Sequence, residues 1–173
     1  MVDPHSGVEE PPDDTVQTEV DEFDSLVGIV ADGVVGAAGG LVGTALMTVV
    51  LLIAESIGAF DRSSFAALTE LIGLGGVVPP VLFGYLLFLA GGMITWPLLF
   101  ASLMAYLPGD RPPATGVVFG SVLWTGFAPA FYAGQTGLAL VLYGVLTLVA
   151  HWAYGFGVGI VFEYLATRPE TLV

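Results

Sequence analysis

Long apolar runs limit what this chain can fold into more than any other feature of its sequence. Crossing about 30 Å of hydrocarbon takes roughly 20 helical residues. Four runs approach or exceed that length, at about residues 33–57, 82–106, 115–132 and 138–165. Hydrophobic residues make up 55% of the chain and charged residues only 11%, whereas soluble domains carry about 25% charged residues. The sequence therefore predicts an all-α, four-helix transmembrane bundle.

The connections between these runs set the predicted topology. Between the first two runs, apolar residues recur every three to four positions, which predicts a short amphipathic helix over about 62–74 in the membrane interface. The other two connections, PGDRPPATG and AGQTG, are short enough to make sequential spans antiparallel neighbours. Four crossings place both termini on one side with Arg111 and Arg168, and Arg62 on the other. The positive-inside rule then favours a multi-pass protein of the cell membrane with both termini in the cytoplasm.

The first 25 residues differ sharply from the rest of the chain. They hold nine of the sixteen acidic residues and few large apolar ones, so the sequence predicts a disordered acidic tail over 1–25 and a transmembrane domain over 26–168. The three basic residues of the chain are all arginines. An acidic, lysine-free composition suits high salt and indicates a halophilic source. It also argues against nucleic acid as a partner, because phosphate binding requires Lys and Arg.

Several classes of active site are missing from the sequence. The chain has no cysteine, which excludes disulfides, thiolate metal sites and cysteine nucleophiles. No nucleophile can be combined with a base and an orienting group, so we expect a protein that is not an enzyme. No cluster of metal ligands is visible either, and no metal or cofactor is expected.

Glycines at four-residue spacing mark the surfaces through which the helices are expected to pack. Small residues let helix backbones approach closely in lipid and gain dispersion contacts. The residues predicted to pack in this way are Gly36, Gly40, Gly43, Gly116, Gly120, Gly155 and Gly159. The same faces are the predicted contact surfaces for a protein partner or a second copy of the chain.

His151 is the one histidine within the apolar runs, and it falls at the centre of the fourth run. An imidazole near the bilayer midplane must find a hydrogen-bond partner, and its neutral form is expected there. The structural interpretation is a bond to a neighbouring hydroxyl or carbonyl, such as that of Thr48, Thr95 or Thr125. A second interpretation is a proton-relay or ligand-binding role coupled to Glu55.

Two further alternatives follow from the same histidine. A relay from Glu55 through His151 to Glu163 would connect the two ends of the bundle. A haem site would need a second axial ligand, which the sequence offers only as a methionine (Met47, Met93 or Met104) or as His151 of a second copy.

Five stretches of the sequence carry a family resemblance. These are GGLVGTALMT, the amphipathic insertion, GGMITWPLLF, PGDRPP and AHWAYGFGVG. Over about residues 30–166 the chain resembles a haloarchaeal family of uncharacterised four-helix integral membrane proteins. The resemblance implies no established activity. Some members accompany respiratory-chain components, which implies an accessory role near terminal oxidases.

Together these observations predict a small, non-enzymatic membrane protein that serves as an accessory or assembly component of a membrane complex. Its expected surroundings are the lipid bilayer and a protein partner or a second copy. The alternative is a small transporter or proton-conducting protein that uses His151 and Glu55, and a b-type haem protein ranks below both.

Overall fold

The computed structural model describes the backbone of residues 14–166 and the side chains of residues 33–165. The helices are α1 (Asp14–Ser56), α2 (Ala66–Leu71), α3 (Pro80–Ala90), α4 (Trp96–Leu103), α5 (Pro112–Ala130) and α6 (Gly137–Ala166). A 3-10 turn covers Arg62–Phe65, and a π-helical turn at Gly91–Thr95 joins α3 to α4. Over the described backbone the fold is entirely helical, with no strand.

The chain divides into two units, Met1–Asp32 and Gly33–Val173. In the first unit, α1 begins at Asp14, so the backbone over 14–25 is helical where the sequence predicted disorder. Residues 1–13 lie outside the described part of the chain. The division into an acidic tail and a transmembrane domain therefore stays a prediction.

Three helical segments of residues 14–166 are long and apolar enough to cross a membrane, namely Gly33–Ser56, Pro80–Leu103 and Gly137–Leu165. They correspond to the first, second and fourth predicted spans. The prediction of four such helices is wrong by this measure, because α5 does not qualify. Proline at both of its first two positions and again at Pro129 lowers the hydropathy of a helix of only 19 residues.

The short helix predicted between the first two spans is present as the 3-10 turn and α2. The Asp61 carboxylate accepts a hydrogen bond from the Ser63 backbone N–H at 2.8 Å, which caps the turn and lowers the pKa of Asp61. The insertion packs directly on the second span, since the Thr69 hydroxyl donates to the Pro80 carbonyl at 2.6 Å. A Cβ atom on Gly84 would overlap the Phe65 carbonyl oxygen, so only glycine permits this approach.

Helices α5 and α6 form an antiparallel pair with one fixed register. Contacts recur at four-residue steps along both helices, through backbone at one end and through side-chain hydrogen bonds at the other. The pairs are Pro112 with Gly159, Gly116 with Gly155, Gly120 with His151, Trp124 with Thr147, and Ala128 with Tyr143. A Cβ atom on Gly116, Gly120, Gly155 or Gly159 would overlap a carbonyl oxygen of the facing helix. The predicted packing glycines of both helices thus lie in their shared interface.

The glycines of α1 make the corresponding contacts with the other two spans. A Cβ atom on Gly40 would lie 2.6 Å from the Gly92 carbonyl oxygen of the π-helical turn. One on Gly43 would lie 2.6 Å from the Tyr154 carbonyl oxygen of α6. Gly36 faces Pro97 at an ordinary contact distance of 3.6 Å. The first span therefore lies against both the bulged part of the second span and the middle of α6.

Opposite ends of the helical unit differ in their stabilising contacts. At the end that carries α2, rings stack, tilt or meet edge to face at centroid distances of 4.3–6.2 Å, among Phe60, Phe65, Phe88, Phe127 and Phe131. One ion pair lies at each end, Arg62 with Glu55 (2.9 Å) and Arg111 with Glu163 (2.7 Å). The hydrogen bond from Arg111 to Glu163 raises the pKa of Arg111. Both arginine side chains are largely exposed, so these pairs contribute little to stability.

Substituting Gly155→Ala should destabilise the fold, because the new methyl group overlaps the Gly116 carbonyl and forces α5 away from α6. We expect a loss of about 2 kcal/mol or more in the free energy of unfolding, or failure to fold. Thermal unfolding in mild detergent, followed by near-UV circular dichroism, measures the effect. The matched control is Gly144→Ala on the same helix, where a Cβ atom meets open space and alanine should be neutral or stabilising by about 0.5–1 kcal/mol. Equal unfolding temperatures for the two variants would contradict the assigned interface.

Candidate functional site

A cavity of about 570 Å³ lies within the Gly33–Val173 unit, and His151 is part of its wall. We refer to it as the central cavity. Its wall is mostly apolar and includes Met47, Leu68, Leu87, Phe88, Leu123 and Phe131. Hydroxyl or imidazole groups enter the wall from Thr44, Thr125, His151 and Tyr154. No Asp, Glu, Lys or Arg of the described side chains lines it. The cavity thus combines a large hydrocarbon surface with a few neutral polar groups.

His151 is 3% exposed and hydrogen-bonded within its own helix. Its Nδ1 lies 2.8 Å from the Thr147 carbonyl oxygen, one turn earlier in α6. The Phe127 ring meets the imidazole edge to face at a centroid distance of 4.6 Å. Because a carbonyl oxygen only accepts, Nδ1 is the protonated nitrogen of this contact. The sequence suggested a hydroxyl or carbonyl of Thr48, Thr95 or Thr125 as the partner, whereas the observed partner is the Thr147 carbonyl.

The three threonines proposed as partners of His151 have other surroundings. The Thr48 hydroxyl donates to the Thr44 carbonyl at 2.8 Å, and the Thr125 hydroxyl donates to the Val122 carbonyl at 2.7 Å. Thr95 lies in the π-helical turn and is exposed. Of the three, only Thr125 lines the central cavity with His151.

Polar side chains form a row on α6 at Tyr143, Thr147 and His151, and the sequence did not predict the first two as part of the site. The Trp124 indole N–H donates to the Thr147 hydroxyl at 3.0 Å, and that hydroxyl donates to the Tyr143 carbonyl at 2.6 Å. The Tyr143 hydroxyl donates to the Ala128 carbonyl at 2.7 Å. That carbonyl lies in the last turn of α5, where the helix provides no donor of its own. The four-residue spacing of Tyr143, Thr147 and His151 is the signal that could have identified this row.

The π-helical turn leaves one carbonyl without a helical donor, and Tyr154 supplies the missing bond. The Trp96 N–H, which would bond the Gly92 carbonyl in an α-helix, bonds the Gly91 carbonyl instead. Pro97, the next residue that could donate, has no N–H. The Tyr154 hydroxyl of α6 donates to the Gly92 carbonyl at 2.8 Å and satisfies it. π-Helical turns within α-helices are frequent at functional sites, and this one borders the central cavity through Gly91 and Gly92.

The Thr44 hydroxyl is the exception to this pattern of satisfied polar groups. Thr44 is 4% exposed, and its Oγ1 is the one buried side-chain nitrogen or oxygen among the described residues that lacks a hydrogen-bond partner. It packs on the π-helical turn, since a Cβ atom on Gly92 would lie 2.5 Å from this oxygen. In the middle of a membrane helix, such a group is unfavourable unless something binds to it.

Glu55 and Glu163 are not brought to His151. Each carboxylate forms its ion pair with an arginine, and the two pairs lie at opposite ends of the spans. Glu55 instead lines a second cavity of about 350 Å³, together with Arg62 and Thr48. Side chains in the described region form no group of three or more His, Asp or Glu that could hold a metal ion. Of the methionines considered as axial ligands, Met47 lines the central cavity with His151.

Two substitutions around the π-helical turn should change stability in opposite directions. Thr44→Val removes an unpartnered buried hydroxyl at nearly constant volume, so the free energy of unfolding should rise by about 1 kcal/mol. Tyr154→Phe leaves the Gly92 carbonyl without a donor and should lower it by about 1–2 kcal/mol. Thermal unfolding of both variants in the same detergent tests the pair. A destabilised Thr44→Val variant would show that its hydroxyl has a partner in the folded protein.

Comparison with known proteins places the chain in a family. Residues 30–173 match the family of unknown function DUF6789, whereas no curated protein and no solved structure matches the chain. The match covers all three apolar spans, α5 and the whole wall of the central cavity. The chain therefore belongs to the family of unknown function DUF6789.

Proposed function

We propose that this protein is a non-enzymatic integral membrane protein that binds a lipid-soluble molecule between its helices, as an accessory component of a membrane system. The observation that carries the proposal is the central cavity. Its volume of about 570 Å³ falls within the range of roughly 300–1,000 Å³ that is usual for small-molecule sites. Sites of this kind are mostly apolar and fix the ligand with a few placed polar groups.

The apolar spans support a location in the bilayer, and α5 belongs to the same layer. Its register places Pro112–Ala128 alongside Tyr143–Gly159, well inside the Gly137–Leu165 segment. If α6 crosses the membrane, α5 must lie at the same depth. The paired stretch of about 17 residues covers roughly 25 Å at 1.5 Å per residue, close to the hydrocarbon thickness of about 30 Å. We therefore infer four crossings despite the low hydropathy of α5.

With four crossings, the Asp110 connection lies on the side of the termini and Ser63 and Thr136 lie on the opposite side. The sequence then has Arg111 and Arg168 on the side of the termini and Arg62 on the other, and this two-to-one count favours cytoplasmic termini in the cell membrane. The acidic, lysine-free composition supports a high-salt habitat for the organism.

Assembly through small-residue faces is the second candidate, and the packing of the glycines weakens it. Gly40, Gly43, Gly116, Gly120, Gly155 and Gly159 all contact another helix of the same chain. A protein partner would therefore have to meet large apolar side chains rather than glycine faces. Proton conduction is weakened too, because Glu55 and Glu163 are each engaged by an arginine, and neither lines the central cavity with His151.

Cysteine labelling tests the four-crossing topology on a chain that has no native cysteine. Single variants Ser63→Cys, Asp110→Cys and Thr136→Cys all lie in connections and are exposed. With a membrane-impermeant maleimide on sealed cells, we expect Ser63→Cys and Thr136→Cys to label together and Asp110→Cys only after permeabilisation. Labelling of Thr136→Cys with Asp110→Cys, and not with Ser63→Cys, would show that α5 does not cross.

Filling the central cavity should abolish ligand binding without unfolding the protein. Gly126 lines the cavity, and a Cβ atom there meets nothing within 4 Å, so Gly126→Leu adds bulk without a collision. Wild-type protein purified in mild detergent should retain a lipid-soluble molecule at about one per chain, identified by mass spectrometry of an organic extract. The Gly126→Leu variant should lose it, and Leu123→Trp provides a second, independent filling of the same wall.

The matched control is Gly144→Leu, which also places a leucine in open space on a helix but outside the central cavity. It should retain the molecule at the wild-type level. Extracts that contain only bulk membrane lipid, equally in all variants, would contradict the proposed function. Co-purification of a stoichiometric protein subunit without any small molecule would favour the assembly role instead.

A further inference from the structure

We infer that the ligand of the central cavity is a neutral alcohol or phenol with a hydrocarbon body, whose hydroxyl group binds between Thr44 and His151. The inference rests on the proposed function, since it names the chemical class that this cavity accepts. It is carried by two polar groups of the wall: the buried Thr44 hydroxyl, which has no hydrogen-bond partner, and the second ring nitrogen of His151, for which the described region provides no hydrogen bond.

The first group is the Thr44 hydroxyl. A threonine inside a helix usually donates to the carbonyl of the preceding turn, as Thr48 does to the Thr44 carbonyl. The Thr44 hydroxyl makes no such bond and has no other partner among the described side chains and backbone. Thr44 is 4% exposed and belongs to the cavity wall, and its hydroxyl retains the capacity to donate one hydrogen bond and to accept others.

The second group is the outer nitrogen of the His151 ring. Nδ1 carries its proton toward the Thr147 carbonyl, so in the neutral imidazole Nε2 is an acceptor without a proton. Nδ1 is the only ring nitrogen for which the described region provides a hydrogen bond. The cavity wall therefore offers an acceptor at His151 in addition to the hydroxyl at Thr44.

This combination selects the head group of the ligand. A hydroxyl group can donate to Nε2 of His151 and accept from Thr44 at the same time. A ketone, an ether or a quinone can only accept, so it would leave Nε2 unsatisfied. A phosphate or carboxylate head group is disfavoured, because no Arg or Lys of the described region lines the wall. The remaining hydroxyls already donate, Thr125 to the Val122 carbonyl and Tyr154 to the Gly92 carbonyl.

The test compares two probes, an alcohol and the ether in which a methyl group replaces the hydroxyl hydrogen. One is an ω-fluorinated long-chain alcohol and the other is its methyl ether, both titrated into the full-length protein in detergent and followed by ¹⁹F NMR. Empty micelles measure partitioning into the detergent alone. We expect the alcohol to bind about tenfold more tightly than the ether, as one buried hydrogen-bonded pair allows.

Three variants locate the head group of the bound probe. Thr44→Val should weaken binding of both probes, because the alcohol oxygen and the ether oxygen each accept from the Thr44 hydroxyl, whereas Thr44→Ser, which retains the hydroxyl, should restore it. The matched control is Thr125→Val, a substitution in the same wall at a hydroxyl that already donates to a carbonyl, and it should leave the binding of both probes unchanged.

Each outcome separates this inference from the proposed function. Equal binding of both probes, sensitive to Gly126→Leu, would overturn the inference and leave the cavity as a general lipid site. Binding of both probes that is unchanged in Thr44→Val, or that is weakened equally in Thr125→Val, would also overturn it. Binding of neither probe above the empty micelles would remove the proposed function and the inference together.

Discussion

The close approach of α5 to α6 is the contact on which the rest of this structure depends. In lipid there is no hydrophobic force between helices, so association relies on backbone contact and on hydrogen bonds between side chains. Gly116 and Gly155 provide the first, and the bonds from Trp124 and Tyr143 provide the second along the same register. That register fixes the position of His151 along the helix pair, opposite Gly120, and forms one side of the central cavity. It also holds the weakly apolar α5 alongside an apolar span.

The same principle explains the second span. A proline in a membrane helix leaves carbonyl groups unbonded, and hydrocarbon offers no water to satisfy them. Here the π-helical turn leaves the Gly92 carbonyl without a backbone donor, and the Tyr154 hydroxyl of α6 donates the missing hydrogen bond. Gly40 and Gly92 lack side chains, which lets α1 approach the bulged backbone. The three spans therefore meet at one irregular turn, and the polar edge of the cavity forms there.

Much of this architecture could be predicted from the sequence, because hydropathy and glycine spacing are local properties. The three apolar spans, the short helix before Gly75 and the glycines that face other helices follow from such patterns. The composition of α5 does not predict whether this helix lies beside the apolar spans, because its position depends on its pairing with α6. The partner of His151 and the π-helical turn were also missed. Both depend on which carbonyl a side chain from another turn or helix can reach, and one sequence does not specify that.

The chemistry of the cavity wall argues against a path for protons. The wall is hydrocarbon apart from a few neutral polar groups, among them the Thr44 hydroxyl, which has no partner, and the His151 ring. A proton path needs a continuous polar connection to both faces of the membrane, yet the carboxylates that would begin and end it are held by Arg62 and Arg111. A molecule that is apolar along most of its length matches the hydrocarbon part of the wall, and its single polar group matches the polar part. In the proposed function, the Thr44 hydroxyl, which has no partner in the folded chain, is the point at which the ligand would bind.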